Sequence, residues 1–207
     1  MKKLMTTVTV LLLALTVFGS GTIAEDAVSS ATLSIHSLPE IRENAETKIL
    51  VAYFSTDDTI RAAAYTIANA LSADLFEIQP AEPYTADDVN YHNRQSRTSI
   101  EQNDPQARPE IAALPEDMSR YDTIILGYPI WWGQAPKILY TFVESVDFSG
   151  KTVIPFCTSG SSGAGSSASN LQKAADESSV WLEARRISNG STGEEIRVWA
   201  ESLANET

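Results

Sequence analysis

The sequence predicts an α/β domain: a doubly wound, five-stranded parallel sheet, order 2-1-3-4-5, with helices on both faces in three layers. Two observations carry this. Short, almost wholly apolar runs, such as KILVAYF at 48–54 and TIILG at 123–127, suit strands buried on both faces. These runs alternate with segments of helical period, and strand–helix alternation gives a parallel sheet wound in both directions.

The elements follow in order. After the first strand comes a polar turn, Ser55-Thr56-Asp57-Asp58. Residues 59–71 then place Ile60, Ala63, Ala64, Ile67, Ala68 and Leu71 on one helical face. DLFEI at 74–78 is a second strand. Residues 79–120 are irregular and hold five prolines, with a short helix expected within 87–102. So long a connection is either functional or wraps the surface. The third strand, 123–127, precedes a helix at 136–145 that carries Pro136 in its first turn, where no N–H is needed. KTVIPFC at 151–157 is the fourth strand, although Pro155 lacks a ladder donor. A helix at 166–175, a fifth strand at 180–187 and a closing helix at 193–203 complete the domain. That last helix has Ile196, Trp199, Ala200 and Leu203 on one side.

Residues 1–24 read as an export signal. Lys2 and Lys3 precede an apolar run at 8–18, and small residues lead to a cleavage site after Ala24. The run is short for a membrane span, though an uncleaved anchor is the alternative. Residues 25–46 form a linker, and the domain occupies 47–207. The expected location is therefore extracytoplasmic, either secreted or in the cell envelope. The chain carries a net charge of −12, which opposes binding to nucleic acid or anionic lipid. Cleavage would remove two cations and no carboxylate. The single cysteine, Cys157, allows no intrachain disulfide.

Three loops leave the carboxyl ends of strands, where open sheets bind ligands. The first is Ser55-Thr56-Asp57-Asp58-Thr59. Its hydroxyls and a helix N-terminus could hold a phosphate, although Asp58 or Ser55 as a helix cap also explains it. The second is Tyr128-Pro129-Ile130-Trp131-Trp132-Gly133, which is either a platform for a flat heteroaromatic ring or a hydrophobic corner. There Gly133 would let the backbone approach a ring edge. The third, residues 158–166, is rich in Gly and Ser. It is either a flexible link or a clamp of backbone N–H groups, and its spacing is not that of a dinucleotide fingerprint. Together they suit a phosphorylated flat ring, a mononucleotide such as FMN.

ILVAYFS, GYPIWWG, FSGKTVIPFCTSGSSGAG and TGEEIRVWAESL make the chain similar to the bacterial flavodoxin-like family, whose domains bind FMN. The likeness spans roughly residues 48–203. In that family the first loop reads Ser-x-Thr-Gly-Asn-Thr. Here one residue is missing, with Asp57 standing for the glycine and Asp58 for the asparagine. Ser55, Thr56 and Thr59 carry over as phosphate-loop residues. The resemblance places Pro129, Ile130, Trp131, Trp132 and Gly133 along the flavin ring and ribityl chain, and Thr158, Ser159, Gly160, Ser162 and Gly163 at its other edge. It implies electron transfer with a redox partner, or reduction of a small acceptor such as a quinone. Carrier and enzyme both stay open. The competing reading is a binding module of the same fold whose acidic first loop has lost the flavin.

Other residues suggest less. Cys157 reads as a core thiol. His36 and His92 lack companions at metal-ligand spacing, so no metal site is expected. Tyr84 and Tyr91 could close over a flavin but suit surface packing better. Asn189-Gly190-Ser191 is a glycosylation tripeptide of little specificity.

Overall fold

A computed structural model describes residues 49–203 other than 161 and 189. The predicted export segment, its cleavage site and the linker lie outside the described residues, as does Asn189. In chain order the elements are β1 (Ile49–Tyr53), α1 (Asp58–Leu71), β2 (Asp74–Glu77), α2 (Arg97–Asn103), a 3-10 turn (Met118–Arg120) and β3 (Thr123–Pro129). They continue with α3 (Lys137–Ser145), β4 (Thr152–Thr158), α4 (Ser167–Gln172), β5 (Val180–Trp181), β6 (Arg185–Ile187) and α5 (Gly193–Leu203).

All strand pairings are parallel, in the order β2-β1-β3-β4-β5, with β6 also on β4. The predicted topology is therefore the observed one. Alternate residues of the central strands feed two cores. Leu50, Ala52, Ile124, Leu126 and Val153 pack with α3 and α4 residues Ile138, Leu139, Phe142 and Leu171. Val51, Tyr53, Ile125, Ile154 and Phe156 pack with Ile60, Ala64 and Ile67 of α1 and Ala200 and Leu203 of α5. Burying a side chain such as Ile60 or Ile67 contributes roughly 1.5–3 kcal/mol.

Two prolines shape the sheet. The fifth strand position is filled in two pieces. Val180 pairs with Thr152, and Arg185 with Phe156, so one extra residue sits between them. The break lies alongside Pro155. The carbonyl of Val153 accepts from the N–H of Leu182 at 2.9 Å, so Pro155, two residues on, faces the same edge with no donor to offer. The predicted single strand at 180–187 thus becomes β5 and β6, and the conflict noted at Pro155 is met by a bulge. Pro129 acts likewise on β3. Pairing of β3 with β4 runs to Pro129–Thr158 and beyond, through Ile130 N–H to the Thr158 carbonyl at 2.8 Å. Toward β1 it ends once Phe54 N–H donates to Gly127 O at 2.9 Å, because Pro129 has no N–H to return. The chains are released from one another there, and a cleft opens.

Gly127 is fixed by packing. A β-carbon there would stand 2.2 Å from the Phe156 ring, so the ring occupies the place of a side chain.

The 79–120 connection wraps the surface. Pro80 pairs with Ile111, and Ala81 and Ala112 donate across this neck at 2.8 Å each. Arg108 forms two 2.7 Å bonds to Glu144, and Thr141 donates to Pro109 O at 2.9 Å, strapping the connection to α3. Its helix is shorter than expected and begins ten residues later, at Arg97, because the preceding residues form turns capped by Asn90 and Asn93 side chains.

Candidate functional site

An open cleft of about 310 Å³ lies beyond the carboxyl ends of β1, β3 and β4. This is where the sheet order reverses, the position at which doubly wound sheets hold ligands. Its walls are Asp57 and Thr59 from the first loop, Pro129, Ile130 and Trp131 from the second, and Thr158, Ser159 and Gly160 from the third. Seven of the thirteen predicted site residues therefore meet there. Ser55, Thr56, Trp132, Gly133, Ser162 and Gly163 belong to the same three loops but lie outside this lining.

The second loop closes as a two-residue hairpin turn. Trp131 and Gln134 exchange N–H···O bonds of 2.9 Å, with φ +48° at Trp132 and +74° at Gly133. Positive φ at both central residues marks a type I′ turn, so Gly133 is required by the turn itself. For Trp132 the left-handed conformation is strained, and its side chain is 44% exposed. The two tryptophans thus separate. Trp131 is half-buried and clamped edge-on between Phe54 (5.5 Å, 87°) and Tyr84 (5.6 Å, 84°). Tyr84 is held in turn by its hydroxyl donating to Glu101 at 2.7 Å and by Arg97 over its ring. Burial, then the Glu101 carboxylate, pushes the Tyr84 phenol far above its ordinary range. From α2, Gln102 Nε2 donates to Trp131 O at 2.9 Å.

The third loop is tied to its neighbours. Arg186 of β6 donates to Ser159 O at 3.0 Å, and Ser159 Oγ bonds Ser162 Oγ at 2.8 Å. Asn170 donates to Gln134 at 2.7 Å, and Gln134 to Ser166 at 3.3 Å, joining the second and third loops. The Thr158–Ile187 register turns the Ser159 N–H toward β6, where it serves the ladder. Among the described residues no acceptor is seen for the backbone N–H of Gly160, which leaves it as a donor on the cleft wall.

The first loop is a helix cap. Asp57 is the N-cap of α1, its Oδ1 accepting from Thr59 N–H at 2.8 Å. Ser55 Oγ donates to the carbonyl of Asp57 and accepts from its N–H. Asp58 pairs with Arg61 at 3.0 Å, and Arg61 also reaches Glu77 at 3.0 Å.

The sequence reading missed Phe54, Gln102 and Arg186. Phe54 was visible only as the last apolar residue of a strand. Gln102 and Arg186 carry no local signal, since they act on residues 29 and 27 positions away. Tyr84 packs as expected but against Trp131, which makes it the backing of the cleft wall. Tyr91 is 69% exposed and stacks on His92.

A family model described as flavodoxin matches residues 48–203. Among solved structures, a candidate flavoprotein from Bacteroides eggerthii is 44% identical with a TM-score of 0.69, covering 76% of this chain and 98% of that one. One from Bacteroides uniformis is 43% identical with a TM-score of 0.70, covering 74% and 97%. A Lactobacillus acidophilus flavoprotein in complex with FMN is 22% identical with a TM-score of 0.55, covering 68% and 93%, a likeness of fold. No curated protein matches the chain.

Proposed function

The chain belongs to the flavodoxin family, and from that premise we propose that its cleft binds a flavin, FMN by family expectation, for electron transfer or reduction of a small acceptor such as a quinone. One observation carries the reading: a clamped Trp131 and the open amide of Gly160 line one cleft at the β1/β3 reversal, the place of FMN in flavodoxins. The donor set fits the ring half of the group. Trp131 and Ile130 offer apolar area, and the Gly160 amide can donate to a ring carbonyl edge. A bound flavin supplies the redox chemistry, while the protein orients it and shapes its electrostatics. With a net charge of −12, the chain disfavours further negative charge on the ring, so the potential should lie below that of free FMN. The N-terminal segment supports placing the domain outside the cytoplasm.

A second reading has one observation behind it. The carboxylate of Asp57 already takes a helix N–H that a phosphate would use, which favours a binding module without flavin. Flavin fluorescence decides between them. Quenching of added FMN or riboflavin at micromolar protein supports the first reading, and undiminished fluorescence of both supports the second.

A further inference from the structure

We infer, building on the reading of the cleft as a flavin site, that it holds flavin by ring and ribityl chain and rejects the phosphate, so that riboflavin binds at least as tightly as FMN. The ring half of the cleft fits the group that the fold implies, but the phosphate half does not. The N-terminus of α1 is where backbone N–H groups would meet a phosphate. Here it carries an anion of the protein's own. Asp57 lines the cleft, and its Oδ1 takes the Thr59 N–H at 2.8 Å. Asp58 follows in the first turn with its side chain almost wholly exposed. Arg61, one turn into the helix, is engaged by Asp58 and Glu77. None of the eight residues lining the cleft is basic.

The balance of charges then decides. A helix N-terminus offers about half a positive charge. Against it stand two carboxylates on adjacent residues, within a Debye length of roughly 8–10 Å of anything seated there. A phosphate dianion would meet both and would find one helix donor already taken. A ribityl hydroxyl, being neutral, avoids the repulsion and can donate to the Asp57 carboxylate, a charge-assisted bond stronger than a neutral one. The group that repels the phosphate therefore attracts the alcohol it would have esterified.

The test is a paired titration of the full chain with riboflavin and with FMN near neutral pH, read by flavin fluorescence. The riboflavin dissociation constant should equal or undercut that of FMN, and added salt should narrow the gap by screening. The double variant Asp57→Asn with Asp58→Asn should tighten FMN by about tenfold or more and riboflavin by less than about threefold. Asparagine caps helices as well as aspartate does, and circular dichroism checks that α1 survives. Glu177→Gln, which removes a carboxylate before β5 at the opposite end of the sheet, should move neither constant. FMN binding more than about threefold tighter than riboflavin in the unmodified chain would overturn the inference while leaving the flavin site standing. An equal FMN gain in Glu177→Gln would overturn it too, by assigning the effect to net charge. Failure of both flavins to bind any form would remove the underlying reading as well.

Discussion

The two ends of the cleft are built by different rules. At the ring end, Trp131 is fixed by Phe54, Tyr84 and Gln102, which arrive from β1, the long connection and α2. Its conformation is settled before any ligand comes. At the other end the loop residues 56–59 are exposed, and they satisfy one another by capping. The ring end is thus preorganised by tertiary packing, which lowers the cost of binding a flat ring. The loop end already carries its own carboxylate on the helix start, so an anion suits it poorly. Position beyond the strands is shared by both ends, yet they favour different chemistry. Position alone is therefore a weaker guide to binding than clamped surfaces and the charge already in place.

The contrast can be broken or sharpened at single residues. The largest effect should come from Trp131→Ala. It removes a half-buried ring from an aromatic cluster, costing about 2–3 kcal/mol in chemical denaturation and weakening flavin binding by about a hundredfold. Unchanged flavin affinity would move the ring elsewhere. Next, Gly127→Ala forces a methyl into the Phe156 ring and should cost about 1–3 kcal/mol without touching the cleft lining. A smaller gain is expected at the neighbouring turn. Trp132→Asn creates Asn-Gly, the preferred type I′ pair, and relieves the left-handed tryptophan. Thermal unfolding should show about 0.5–1 kcal/mol of added stability. Flavin affinity should fall far less than in Trp131→Ala, because Trp132 lies off the cleft wall.

The last effect is nil at neutral pH and emerges only in alkali. Burial pushes the Cys157 thiol from 9.0 up to about 11. A raised folded-state value means that its contribution to stability is intact below the unfolded value and is lost as pH rises through about 11. Stability measured from pH 8 to 11 should decline, and Cys157→Ala should flatten that decline. The native thiol should resist a thiol reagent at pH 8 and react once the chain unfolds.

Much of the fold was legible because its signals are local. The apolar runs at 48–54 and 123–127 and the helical faces of α1 and α5 state their periods within a few residues. The split of the fifth strand was not, since it depends on Pro155 meeting its neighbour across the sheet. The first-loop cap was legible in kind, as an acidic helix start, but the sequence pointed to Asp58 or Ser55 as the capping residue, and the structure gives that place to Asp57 between them. The two tryptophans, adjacent in sequence, looked equivalent. A turn that needs positive φ at the second of them divides their roles, and turn type appears only once Trp131 and Gln134 are seen to pair. Gln102 and Arg186 stayed hidden because nothing in a glutamine or an arginine announces a partner nearly thirty residues away.

A flavin bound as proposed lies between Ile130-Trp131 and Ser159-Gly160. Backbone amide shifts recorded by NMR while riboflavin is added test it most directly. The largest changes should fall on residues 55–60, 130–134 and 158–165, with Gly160 foremost. Changes centred instead on the depression lined by Leu114, Asp117 and Tyr121, at the opposite end of the strands, would contradict it.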